Sequence, residues 1–229
     1  MSNKSSIQDF VVFPNGAKLY LLPISEADVQ GIALKVRAEF EVQDKPISPP
    51  TYTTDADELF EWDAESVEKD GSEEDKQKWL DHQLAINEFN QAQEYRTMFF
   101  VLTESPYKFV SSRGNEIDLT IDEIEGQWQP PEFWLKNQVK SGYILPTDPY
   151  QLKYDFLNSI IKGVELKREI ITKAIALNLR GIVSDEGIAK YEATFRRAME
   201  VSAKETEQKI TIALEKFNAM VEIGTGEGG

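Results

Sequence analysis

Two runs rich in β-branched, aromatic and long aliphatic residues, Phe10–Phe13 and Leu19–Leu22, flank Asn15-Gly16 near the start of the chain. Asn-Gly tolerates positive φ at both positions, so this stretch predicts a β-hairpin over 9–22. The period then changes. Val29, Ile32, Ala33, Val36 and Phe40 recur at helical spacing behind Ser25, an N-cap residue followed by Glu26 and Asp28. They predict a helix over about 26–41. Pro46, Pro49 and Pro50 break the pattern. Thr51–Thr54 and Leu59–Trp62 read as two short strands, and 63–75 as a loop.

From about 74 to 102 one apolar stripe returns every three to four residues: Trp79, Ala85 or Ile86, Phe89, Ala92, Tyr95, Phe99 and Leu102. Acidic and amide side chains cover the other side, which predicts one long helix. Residues 103–127 lose this period and suggest short strands at Lys108–Ser111 and Asp118–Ile121. Pro130-Pro131 opens a short helix, about 131–141. Asp148-Pro149 is an N-cap followed by proline in the first turn, starting a helix over 149–162 with Leu152, Phe156, Leu157, Ile160 and Ile161 on its apolar side. Gly163 interrupts. A helix over about 164–180 is apolar around most of its circumference, which suits the middle of a bundle. Gly181 suits its C-cap, and Ser184 caps a last helix over 185–221.

The pattern therefore predicts an α+β fold, mainly α with a small β part. An N-terminal hairpin and helix precede a multi-helix bundle with a long C-terminal helix. The expected division is a small mixed part over 1–70, a helical part over 74–221 and a Gly-rich tail over 222–229.

Charge changes this picture in one place. The chain of 229 residues has a formal net charge of -15, and Asp55–Asp75 holds eleven acids and one base. Ten of the fifteen negative charges thus fall in one segment, and the rest of the chain is close to neutral. The acidic balance argues against nucleic-acid binding by phosphate neutralisation. No cysteine and a single histidine, His82, exclude disulfides, thiolate chemistry and multi-histidine metal sites. No apolar run approaches the length of a membrane span, and the polar start Met1–Ser6 is not expected to be a secretory signal. Cytoplasm is the expected compartment.

Candidate chemistry is sparse. His82, one turn after Trp79, reads as a packed helical histidine more readily than as a general base, since no partner motif accompanies it. The acidic segment fails the calcium-loop pattern, because Leu59 and Phe60 fall where an oxygen ligand and a glycine are required. It reads as a solvated loop, or as a contact for a basic partner. Gly224-x-Gly226-x-Gly228 has no following helix in this chain to make it a phosphate loop. Lys190, Arg196 and Arg197 form a small basic patch with little energetic consequence. Trp62, Trp128, Phe133 and Trp134 lie in or beside irregular segments, where they either fill satellite cores or anchor a partner. No catalytic residue, cofactor site or metal site is expected.

One set of residues carries a resemblance. Pro131-x-x-Trp134, Gln138, Gly142-Tyr-x-Leu-Pro146-x-Asp148-Pro149-x-x-x-Lys153-x-x-Phe156-Leu157 is followed by Gly181-Ile-Val-Ser-Asp-Glu-Gly-Ile-Ala and Glu192-Ala-Thr-Phe195-Arg-Arg197. This pattern resembles proteins encoded in the tail-morphogenesis regions of tailed bacteriophages and prophages, some of them regarded as tail assembly chaperones. Leu21-Leu-Pro-Ile-Ser25, Pro49-Pro50-Thr51-Tyr52 and the acidic segment are also similar, so the likeness loosely covers 17–200. The stretch 103–127 and the length of the C-terminal helix depart from it. The resemblance implies a non-enzymatic helper in the host cytoplasm that binds a tape-measure or other tail protein. A virion structural protein, such as a tail or head–tail adaptor, is the alternative; an acidic inhibitor or DNA mimic ranks below it.

Overall fold

The computed structural model describes residues 9–53, 59–122 and 126–179, with isolated positions 186, 187, 189, 190, 193, 194 and 197 beyond them. Apart from those positions, the expected C-terminal helix and Gly-rich tail lie outside the described residues. The architecture is α+β. Its helices are α1 (Glu26–Val42), α2 (Ala64–Asp70), α3 (Glu73–Glu104), α4 (Glu132–Lys140), α5 (Pro149–Ile160) and α6 (Val164–Ala176), the last followed by a 3-10 turn at Leu177–Leu179. Strands β1 (Phe10–Val12), β2 (Lys18–Leu21), β5 (Pro106–Val110) and β6 (Glu116–Asp118) form an antiparallel sheet in the order β1-β2-β5-β6. Strands β3 (Thr51–Thr53) and β4 (Leu59–Glu61) form a separate two-stranded ribbon.

The first hairpin forms by a different turn from the one Asn15-Gly16 suggests. Gly16 N–H donates to the Phe13 carbonyl at 2.9 Å and Phe13 N–H to the Ala17 carbonyl at 2.8 Å. Pro14 therefore takes the first central position, where its fixed φ suits a tight turn. Only Gly16 is left-handed, at φ 84°, the place where a missing Cβ matters. Asn15 contributes its side-chain oxygen, which accepts from Ala17 N–H at 3.0 Å.

The helix signals at Ser25 and Asp148-Pro149 act as expected. Ser25 accepts from the Asp28 amide, and Asp148 from the Tyr150 amide. Helix α1 ends in a Schellman arrangement, with Lys45 N–H to the Phe40 carbonyl and Asp44 N–H to the Glu41 carbonyl, both 3.1 Å. Asp44 takes the left-handed position there, at φ 52°.

Part of the acidic stretch is helical, not a loop. Asp63 Oδ1 accepts from the amides of Glu65 and Ser66 at 3.0 and 2.7 Å, and Ser66 Oγ accepts in return from Asp63 N–H at 3.1 Å. This reciprocal cap, an acid in the first turn, Lys69 in the last and Val67 buried outweigh the charge repulsion over 64–70. Ser72 and Asp75 repeat the device at the start of α3. Replacing Ser72 by alanine is expected to lower the unfolding free energy by about 1 kcal/mol, read as a shift of the urea midpoint.

Strand β6 stops at Asp118, short of the expected Ile121. Asp118 Oδ1 accepts from both the amide and the hydroxyl of Thr120, at 2.8 and 2.7 Å. That local turn competes with the sheet ladder. Leu119 N–H still donates across to the Tyr107 carbonyl of β5 at 2.8 Å, and Leu119 and Ile121 face inward with Thr120 exposed between them, so the burial alternation runs on past the named strand.

The core lies between this sheet and helices α3, α5 and α6. Leu19 and Leu21 of β2, Val101 and Leu102 of α3, Phe156 and Leu157 of α5, and Ile170 and Ile175 of α6 belong to one buried cluster. Residues on either side of the expected 70–74 division contribute to it, and β2 pairs directly with β5. Helix α6 is buried at Ile170–Thr172 and Ala174–Ala176, as its nearly continuous apolar surface predicts, while Lys173 is half-buried and Val164 at its start stays exposed.

Candidate functional site

The four aromatic candidates part company. Trp62, Trp128 and Trp134 are buried, and Phe133 is 60% exposed. Trp62 stacks on Tyr52 at 4.1 Å between centroids, and its backbone amide closes the β3–β4 ribbon by donating to the Pro50 carbonyl at 2.9 Å. Trp128 and Trp134 flank Phe156, with centroids 5.6 and 5.8 Å away. Trp128 Nε1 donates to the Asp118 carbonyl at 3.1 Å, and Trp134 Nε1 to Ser159 Oγ at 2.8 Å. Each of those two indoles thus buries its ring and satisfies its N–H inside the chain. Of the two alternatives the three tryptophans take the buried one, Trp128 and Trp134 within the main core cluster and Trp62 outside it, and Phe133 on α4 alone of the four stays available at the surface. Phe133→Ser is expected to change stability by less than about 0.5 kcal/mol, measured by thermal melting.

His82 is buried against Trp79, and its Nδ1 lies 2.8 Å from the Pro46 carbonyl. A carbonyl only accepts, so Nδ1 carries the proton and donates. The ring ties the segment after α1 to α3 and has that nitrogen committed to structure.

The acids that the structure describes in 59–75 include helix caps. The hydrogen bonds from Ser66 hold Asp63 below the usual carboxylate range, and those from Ser72 do the same for Asp75. Among the described residues no group of three or more His, Asp or Glu side chains is placed to hold a metal ion, and no described helix is long and apolar enough to cross a membrane. Lys190 and Arg197 are exposed; Arg196 lies outside the described residues.

Three features escaped the sequence reading. Leu80 and Leu84, one turn apart on α3, are 49% and 56% exposed. They lie off the stripe that turns His82, Ala85 and Phe89 toward α1. Lys153 is buried in the core and donates to the Thr103 carbonyl at 2.6 Å, near the end of α3. Burial pushes its ammonium down to about 8, against the opposing pull of Glu104 and Asp118. The signal was present, since Lys153 stands three and four residues before Phe156 and Leu157 on the same helical side. The third feature is a cleft between α1, α3 and α5, lined by Ile32, Lys35, Tyr95, Arg96, Phe99, Phe100 and Gln151.

No protein-family model, curated protein or solved structure matches the chain.

Proposed function

We propose that the chain is a non-enzymatic assembly factor of tailed bacteriophages: a tail assembly chaperone or tail-morphogenesis accessory protein that holds a tape-measure or other tail protein in the host cytoplasm. The observation that carries this reading is the exposed pair Leu80 and Leu84, one turn apart on α3, with the polar residues Gln77, Asp81 and Glu88 nearby in sequence. An apolar pair at helical spacing offers anchors for a helical client, and surplus acid keeps such a complex dispersed. The resemblance over 131–197 supplies the class of client.

Co-expression with the tape-measure protein of the same phage tests this. The client is expected to stay in the soluble fraction and to co-purify with the chain, and Leu80→Ser/Leu84→Ser is expected to reduce that recovery several-fold. A client equally soluble without the chain would sink the reading. Abundant copies in purified virions would favour the structural alternative. Helix α2 favours one further reading, because it fixes several carboxylates on an ordered element, as a nucleic-acid mimic requires. Binding to a DNA-binding protein that free duplex DNA displaces would support mimicry.

A further inference from the structure

The cleft between α1, α3 and α5 has a volume of about 380 Å³. Its walls are apolar and aromatic: Ile32 from α1, and Tyr95, Phe99 and Phe100 from α3. Tyr154 of α5, itself buried, backs two of them, with centroids 5.9 Å from Tyr95 and 5.0 Å from Phe99. The aromatic wall is therefore braced by the core. Two cations stand at the cleft. Arg96 is held by Glu39 through a bidentate pair at 2.7 and 2.6 Å. Lys35 makes no hydrogen bond or ion pair among the described residues. Beside an aromatic hollow, this acidic chain thus carries a positive charge that no carboxylate among the described residues pairs with. Gln151, whose amide nitrogen donates to Asp155 Oδ1 at 2.8 Å, adds its amide oxygen as an acceptor.

Such a site, apolar over most of its lining with a few polar groups to one side, is how small-molecule clefts are built. We propose that this cleft binds a small amphipathic carboxylate, its apolar part against Ile32, Tyr95 and Phe99 and its carboxylate on Lys35. Size decides between a small molecule and a docked helix. At about 30 Å³ for each non-hydrogen atom the cleft accepts about a dozen atoms, fewer than one turn of a helix with its side chains. Charge decides the headgroup, since the ammonium of Lys35, unpaired among the described residues, favours an anion and repels a cation.

Decanoate, used below its micelle concentration, is a probe of the right size, and decyltrimethylammonium has the same chain with the opposite charge. Calorimetry on the full chain is expected to show saturable binding of one decanoate, with the ammonium probe at least about tenfold weaker. Lys35→Glu is expected to weaken decanoate about tenfold or more with at most a small drop in melting temperature, because among the described residues Lys35 makes no hydrogen bond or ion pair, and the new carboxylate adds only an exposed like-charge neighbour to Glu39 one turn on. Ile32→Trp, which fills the cleft, is expected to abolish it, with an unchanged circular dichroism spectrum showing that the chain is folded. The proposal is overturned by an absence of saturable binding, by equal affinity for the two headgroups, or by decanoate binding that Lys35→Glu leaves unchanged. An acidic, leucine-containing helical peptide that perturbs Tyr95 and Phe99 resonances where decanoate does not would also overturn it, in favour of a protein occupant.

Discussion

Phe156→Ala is expected to lower the unfolding free energy by about 3–5 kcal/mol, the usual cost of emptying a fully buried phenylalanine site. Phe156 has no exposed surface, and the rings of Trp128 and Trp134 lean on it from two directions. Large rigid neighbours with hydrogen-bonded indoles cannot slide into the vacated space without breaking their N–H bonds to Asp118 and Ser159. The cavity should therefore persist instead of collapsing. Against a total stability of about 5–15 kcal/mol for a domain, this loss is a large fraction. Urea titration followed by tryptophan fluorescence measures it, and both indoles should report the same early transition. A loss under about 1 kcal/mol would mean that the two tryptophans are not wedged on this ring.

Lys153→Met is expected to act in opposite directions at pH 7 and pH 10. The folded chain holds the Lys153 proton less tightly than the unfolded chain, with a value near 8 against 10.5. Between those values the unfolded state binds more protons, so this group makes stability rise with pH across that window. Below pH 8 its destabilising contribution, about 3 kcal/mol from the shift, is fully present. Methionine keeps most of the side-chain volume and removes the charge, but it leaves the Thr103 carbonyl without its donor, a loss of about 1–3 kcal/mol. The variant is then expected to be about 1 kcal/mol more stable than the parent at pH 7. At pH 10 the uncharged amine still donates to Thr103, so the parent should be the more stable of the two. Denaturation midpoints at both pH values decide the matter; a parent–variant difference that stays constant with pH would mean that Lys153 keeps its ordinary proton affinity in the fold.

Local pattern carried much of this fold. The apolar stripes place α1, α3 and α5 within a few residues, and the caps at Ser25 and Asp148 fall where the sequence puts them, because both signals act over a single turn. Helix α2 was obscured by its charge: seven residues dense in acid read as a loop unless the reciprocal bonding of Asp63 and Ser66 is weighed against the repulsion. The aromatic candidates stayed open between core and surface for a different reason. A tryptophan beside a loop has the same sequence neighbours whether its ring points outward or covers Phe156, and the answer depends on a residue 28 positions from Trp128 and 22 from Trp134. The cleft is the same kind of case. Lys35 and Phe99 share no motif and meet because α1 and α3 pack together.

The pairing of β2 with β5 joins positions 85 to 92 residues apart, with Lys18 opposite Val110 and Leu21 opposite Pro106. Closing so long a loop is an entropic hurdle that precedes any reward from the sheet. On the ribosome, at about 5–20 residues per second, the first hairpin emerges on the order of ten seconds before the strand that completes it. Throughout that interval one side of β2 is an open edge, with Leu19 and Leu21 lacking their final cover. The nascent chain is thus most prone to aggregate before α3 is finished, and the rate of translation across α1–α3 becomes a determinant of yield.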